Sequence, residues 1–224
     1  MDLKEAIRKR HSVRNYEERS LAPEVACALR ESIKRYNEDG GLNIQLITDE
    51  PAAFGGRWAR YGKFSGVTNY LAMIGKKSDD LDEKLGYYGE RLVLEAQALG
   101  LNTCWVGLTY SKQAEHLTIG KDEKLVCVIA LGYGATQGVT HRIKAIDNVS
   151  VNKTGGPLPE WFIAGVESAL LAPTAINQQK FKFTLHEGNK VEATHGMGFY
   201  AAVDLGIVKY HFEVGAGPEN FSWL

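Results

Sequence analysis

Arg10, Ser12 and Arg14 lie two residues apart in the string Arg10-His11-Ser12-Val13-Arg14. The β-branched and aromatic content from His11 to Tyr16 predicts extended chain, in which side chains two apart point to the same side. Two guanidinium groups and a hydroxyl on one face make an anion site. A phosphate suits it best, because Arg offers bidentate donors in fixed geometry and stays charged at any working pH. Arg and Ser at such spacing are also common on solvated surfaces, so the string needs company elsewhere in the chain.

Other chemistries find less support. Cys27, Cys104 and Cys127 are widely spaced without a Cys-x-x-Cys pair and read as small apolar fillers, not as a disulfide or zinc framework. No His-Glu-x-x-His pattern occurs, so His116, His141, His186, His195 and His211 read as surface or hydrogen-bonded structural residues. Gly132-Tyr133-Gly134 and Gly196-Met197-Gly198 do not complete the Gly-x-Gly-x-x-Gly fingerprint of a dinucleotide fold. The 26 basic and 27 acidic residues give a formal charge of −1, too little for a long-range field that gathers nucleic acid or an anionic membrane. The charged N-terminal stretch lacks the apolar core of a signal peptide, and no apolar run approaches a membrane span, so the expected location is the cytoplasm. The Asn-x-Ser/Thr triplets at Asn148, Asn152 and Asn220 are then chance occurrences.

The elements that must position the string follow from periodicity. With 224 residues, 44% hydrophobic and 24% charged, the chain has globular composition and a core that needs no disulfides. Asp2 caps a short helix that runs to Arg10 with Leu3, Ala6 and Ile7 on one face. Ala22-Pro23-Glu24 opens a second helix, closed by Asp39-Gly40-Gly41. A strand is predicted over 42–48. The segment 50–66, with Phe54, Trp58, Tyr61 and Phe64 among Arg57, Arg60 and Lys63, reads as a surface loop or short helix. A strand over 67–75 precedes the longest amphipathic helix, over 79–99, which Gly100 caps. Then come a strand over 103–106, a small helix from about Ser111, the apolar strand 125–131, and a Gly-rich exit at Gly132 and Gly134. Beyond the linker Gly155-Gly156-Pro157 a helix is predicted over 159–171 and a hairpin over 181–194 turning at Glu187-Gly188-Asn189. The stretch 206–214 reads as a last strand. The helix-then-strand order after Pro159 loosely echoes the order after Pro23.

Several of these motifs together resemble the FMN-dependent nitroreductase family. Arg10 to Tyr16 is similar to its opening Arg-x-Ser-x-Arg/Lys-x-Phe/Tyr, which also follows a first helix. Leu94 to Gly107 resembles its central helix, Gly-Leu-Gly turn and flavin-edge strand. Leu125 to Gly134 resembles the next strand with its Gly-Tyr exit, and Arg142-x-Lys144 the basic pair that reaches the flavin phosphate. One motif is displaced. The family's Ala-Pro-Ser-x-x-Asn-x-Gln string normally follows the second helix, whereas here Ala172-Pro173-Thr174-Ala175-Ile176-Asn177-Gln178-Gln179 follows the late helix. The chain thus resembles a subgroup in which this order is rearranged, and Asp204 to Glu213 fits that subgroup too.

The resemblance implies an α+β nitroreductase-like fold with a mixed, mainly antiparallel sheet flanked by helices. It implies one domain, with a flavin-binding part over 1–154 and an appended helix-hairpin-strand part over 155–224 carrying the displaced string. Arg10, His11, Ser12, Arg142 and Lys144 are expected around the FMN phosphate and ribityl chain, and Arg14 at the N1–O2 edge of the ring. Val106 and Gly107 would offer backbone groups near N5 and O4, with Lys63 a further cation at the ring. Pro173, Thr174, Ala175 and Asn177 would border the pyrimidine, in the same chain or in a partner's. No side chain then acts as nucleophile or metal ligand, since the flavin carries the chemistry while the protein orients and shields it. The expected reaction is reduction of a small electron-poor acceptor, a nitroaromatic or quinone, by NADH or NADPH in a homodimer. The alternatives are another flavin reaction on this fold, such as reductive dehalogenation or enoyl-type reduction, and flavin binding for storage or regulation without turnover.

Overall fold

A computed structural model of the chain describes residues 1–56, 61–111 and 116–224. Six α-helices and eight strands occur among them: α1 (Leu3–Lys9), α2 (Pro23–Gly40), β1 (Gln45–Ile47), β2 (Asn69–Lys76), α3 (Leu81–Ala98), β3 (Asn102–Val106), β4 (Glu123–Gly132), α4 (Ile146–Val149), β5 (Ser150–Asn152), α5 (Glu160–Leu170), β6 (Phe181–His186), β7 (Lys190–His195), α6 (Ala201–Ala216) and β8 (Ser222–Trp223). The fold is α+β, with two four-stranded sheets ordered β1-β2-β4-β3 and β5-β6-β7-β8. Two compact units are built from the chain. One comprises Lys9–Leu81 and Arg91–Thr140, the other Met1–Arg8, Asp82–Glu90 and His141–Leu224.

In the first unit every strand pair is antiparallel, and β4 lies between β2 and β3. Both faces of β2 and of the later part of β4 are buried, which is why these strands read as unbroken apolar runs rather than as alternating ones. Tyr70, Ala72, Ile74, Val128, Ala130, Cys104 and Val106 share a core cluster with Val13 and Tyr16 of the string. The period-two alternation 70, 72, 74 places them on one sheet face. β1 is shorter than predicted, and the Asn37 side chain pairs with Ile44 just before it. Asn37 Nδ2 donates to the Ile44 carbonyl at 2.9 Å, and the Ile44 amide donates to Asn37 Oδ1 at 2.8 Å. In the segment 50–66 a single 3₁₀ turn forms at Ala52–Phe54. Phe54 packs against Phe64 and Tyr70 in the core, while Tyr61 is exposed. Arg57, Trp58, Arg60 and most of the small helix expected from Ser111 lie outside the described residues. Cys104 and Cys127 are buried, but Cys27 is exposed and fills no core.

In the second unit β6 and β7 form the predicted hairpin, with β5 added parallel on one edge and β8 parallel on the other. Phe183 stacks on Phe212, which also meets Phe162 and Trp223. The largest correction falls here. The stretch 206–214, read as a strand, belongs to helix α6, in which Ala201, Val203, Asp204, Leu205, Gly206, Ile207, Val208, Tyr210, His211, Phe212, Gly215 and Ala216 are buried. A helix buried nearly all round carries no apolar stripe, so its 3.6-residue period is invisible in the sequence.

The echo noticed between the stretches after Pro23 and Pro159 is structural: each runs helix, antiparallel strand pair, helix. The closing helices meet reciprocally. A Cβ on Gly86 would collide with the Val203 carbonyl, and one on Gly206 with the Glu83 carbonyl. The same spacing separates Gly86 from Gly206 and Glu83 from Val203, as in a contact between two-fold-related copies. Beside it lies a fully buried ion-pairing couple. His211 Nδ1 lies 3.0 Å from the Ser168 carbonyl and Nε2 2.8 Å from Glu90 Oε1. A carbonyl only accepts, so Nδ1 carries a hydrogen and donates to Ser168, which leaves Nε2 to meet the Glu90 carboxyl.

Two stability outcomes follow. Gly206→Ala and Gly86→Ala should each lower stability by about 3 kcal/mol or more, because backbone rather than a flexible side chain must move. Glu90→Ala should cost about 3–5 kcal/mol by leaving His211 without its acid partner in a dry interior. Urea unfolding of each variant reads both; parent-like midpoints would contradict them.

Candidate functional site

The sequence-derived site residues fall into two sets, one in each unit. In the first, the string runs extended and is held by its own backbone. The Val13 amide donates to the Thr103 carbonyl at 3.0 Å, the Ser65 amide to Arg14 at 3.0 Å, the Tyr16 amide to Ser65 at 3.0 Å, and the Ala135 amide to Asn15 at 2.9 Å. Val13 and Tyr16 anchor it in the core, and the buried Tyr16 hydroxyl donates toward the Val13 carbonyl at 2.7 Å. Burial raises the Tyr16 hydroxyl well above its ordinary range, so it stays a neutral donor.

Burial pushes the Cys104 thiol up, opposed by the charges of Arg14 and Arg10 and by a hydrogen bond with Ser12. Arg10 is buried, Ser12 partly so and Arg14 exposed. Ser12 pairs with Thr103 at the start of β3, whereas Val106 ends that strand and Gly107 follows it. At about 3.3 Å per residue, four residues separate the two ends by roughly 13 Å. Lys63 is exposed, with φ 59°, in the loop two residues before Ser65.

The second set is a polar network around the displaced string. Arg142 is exposed, and its carbonyl accepts from Asn177 Nδ2 at 2.9 Å and Gln179 Nε2 at 2.8 Å. The Lys144 amide donates to Gln179 Oε1 at 2.9 Å, while its ammonium donates to the carbonyls of Gln178 at 3.0 Å and Gln179 at 2.6 Å. The basic pair and the string, far apart in sequence, are thus brought together. Lys144 props the loop with two of its three donors, a role the sequence did not suggest. Pro173 is buried at the foot of the loop, and Thr174 Oγ1 accepts from the Gln179 amide at 3.1 Å. Ile176, Asn177 and Gln179 hold φ of 48°, 56° and 45° without being glycines. Each such residue stores on the order of 1 kcal/mol or more, and clusters of them mark sites where conformation matters.

Asp204, in the first turn of α6, was missed. Its oxygens accept from the Ala175 amide at 2.9 and 3.1 Å and from Gln178 Nε2 at 2.7 Å. Burial pushes its carboxyl up to about 6, opposed by the hydrogen bonds from Gln178 and Ala175 and by the charge of His195. An acid just before the apolar stretch 206–214 was the available signal, and reading that stretch as a strand hid that Asp204 opens a helix.

Because the folded-state value lies above the unfolded one near 4, the folded state holds an extra proton between about pH 4 and pH 6. The contribution of Asp204 is most favourable below that window and falls by about 2–3 kcal/mol as pH rises through it. Asp204→Asn should therefore gain stability relative to the parent from pH 4 to pH 7, in paired denaturation curves; a constant difference would contradict this.

The model of the family described as "Putative TM nitroreductase" matches residues 2–216. Among solved structures, a "putative nitroreductase" from Thermotoga maritima is 23% identical with a TM-score of 0.65, covering 98% of this chain and 85% of that one. A "putative nitroreductase in complex with FMN" from Desulfovibrio desulfuricans is 18% identical with a TM-score of 0.52, covering 71% of this chain and 99% of that one. A "Putative NADH dehydrogenase/NAD(P)H nitroreductase" from Parabacteroides distasonis is 19% identical with a TM-score of 0.51, covering 66% and 95%. No curated protein matches the chain. Among the described residues, no helix is long and apolar enough to cross a membrane.

Proposed function

We propose, from the premise that the chain belongs to the nitroreductase family described as "Putative TM nitroreductase", that it is an FMN-dependent oxidoreductase reducing a small electron-poor acceptor, a nitroaromatic or a quinone, with NADH or NADPH as donor. The observation that carries this reading is the string bearing Arg10, Ser12 and Arg14, held against the start of β3 through the pairing of Ser12 with Thr103. The FMN complex of the Desulfovibrio neighbour and the donor in the name of the Parabacteroides one support the choice of cofactor and donor.

When bound, FMN supplies the hydride and electron transfer; the residues of this chain bind, orient and shield. Arg10 and Ser12, with His11 between them, hold the phosphate. A buried guanidinium pairs with an anion more strongly than an exposed one, because little water screens it. Arg14, exposed beside them, places a positive charge that favours an anionic reduced ring. Lys63 adds a second cation. Val106 and Gly107 offer backbone groups to the ring edge. The loop Pro173–Asn177, with Arg142 and Lys144 behind it, presents polar backbone to a flavin of its own chain or of a second copy in a homodimer.

The absorbance spectrum of the purified protein tests the cofactor. Flavin bands, or their appearance on adding FMN, are expected, and a protein that takes up no FMN would sink the reading. NADH or NADPH under nitrogen should bleach the bound flavin; no bleaching with either would favour flavin binding without turnover. Arg10→Ala and Ser12→Ala should each weaken FMN binding by about 1–3 kcal/mol, since a charged hydrogen-bond partner is lost. Titration giving equal affinity for variant and parent would count against those assignments.

A further inference from the structure

The loop over 174–179 is an expensive piece of chain, and its own residues do not account for its shape. Three non-glycine residues with left-handed φ fall within four positions, and the Ile176 side chain is 87% exposed, so no packing of that side chain compensates for its strain. What holds the loop lies outside it. Gln179, only 3% exposed, ties its far end to the Arg142 and Lys144 backbone. Its near end is held by Asp204, through the Ala175 amide and Gln178 Nε2. Gln178 Nε2 also donates to the Phe199 carbonyl at 2.8 Å, which fastens the turn before α6 to the same point.

We propose that Asp204 is the positioning residue of this loop: its carboxylate, rigid on the first turn of α6, accepts from Ala175 and Gln178 together and so keeps the Thr174–Gln179 backbone in the strained shape in which it faces the flavin. This rests on the reading of the loop as flavin-facing. The acceptor count explains why a carboxylate is needed. Two oxygens with no hydrogen accept from an amide and from an NH₂ group; a protonated acid, or an amide in its place, must turn a donor toward one of them. Holding a buried carboxylate ionised disfavours the fold, as its raised titration shows. The loop gains order from the same charge that the fold would be more stable without, which is the signature of a functional rather than a structural acid.

The pH dependence follows. The groups that contact Asp204 are the Ala175 amide and Gln178 from the loop, and His195 at the end of β7 acts on it through space. As pH falls through about 6 the carboxyl takes up a proton, the Gln178 contact loses its acceptor, and the loop loosens while the fold as a whole does not.

The experiment uses the full chain without added flavin, then with FMN. Hydrogen exchange, corrected for intrinsic rates, is followed at pH 8 across residues 172–182 in the parent, in Asp204→Asn, and in the paired exchange Asp204→Asn with Gln178→Glu, which restores a donor-to-carboxylate contact with the roles reversed. About tenfold or greater loss of protection at the loop is expected in Asp204→Asn, with the melting temperature not lowered, and recovery in the pair. FMN affinity should fall by about tenfold in Asp204→Asn at pH 8, and parent affinity should approach that of the variant as pH drops below 6. Unchanged loop protection overturns the proposal whether or not FMN binds, as does a loosened loop with unaltered FMN affinity. A loosened, pair-rescued loop in a protein that takes up no FMN upholds the positioning role and removes the flavin from it.

Discussion

Extended backbone between Arg10 and Tyr16, fixed by main-chain hydrogen bonds on both sides, is the constraint on which the proposed chemistry depends. The string is short, and by itself would sample many conformations. Thr103, Ser65 and Ala135 supply or accept the bonds that hold it straight, and Val13 and Tyr16 enter the core to fix its rotation. Val13 and Tyr16, three positions apart, are both buried, so their anchoring and not strict alternation decides which way the residues between them face. The polar face is a consequence of where the apolar residues go.

The second set of residues obeys a different logic. Around Asn177 the backbone is forced into conformations that only glycine adopts freely, and polar contacts at both ends compensate. Gln179 and Lys144 secure one end, Asp204 the other. Such a network gains from low local dielectric only if each member is satisfied, which explains why a lysine and an acid spend their charge on loop carbonyls and amides instead of on solvent. The surrounding helices provide the rigid base. α6 is buried on nearly every side, pinned through His211 to Glu90 and Ser168 and in backbone contact with α3 at Gly86 and Gly206. A first-turn carboxylate on such a helix has little freedom to follow the loop.

Much of the architecture was legible. Strands β2, β3 and β4 of the first sheet, the long helix α3, the hairpin of β6 and β7 and the helix after Pro159 all lie where periodicity and turn residues put them, within a residue or two. The echo after Pro23 and Pro159 was legible as well. Misreadings share a cause. Residues 206–214 were taken for a strand because a helix buried on all faces displays only apolarity, and β1 was overextended because nothing local reveals that Asn37 will cap Ile44. Phe54 and Phe64, set among basic residues, turned inward to Tyr70 because a ring buries more apolar area in the core than in a loop.

Local order in the sequence determined by itself most of the elements, the spacing of Arg10, Ser12 and Arg14, and the motifs that place the chain among nitroreductases. Tertiary structure alone decided that Lys144 props the displaced string, that Asp204 anchors it, and that Arg10 is buried while Arg14 is open. The physical reason is range. Helix and strand periods are set by neighbours a few residues apart, whereas a buried charge is defined by what the fold brings to it, and the partners of Asp204 lie 26 and 29 residues away.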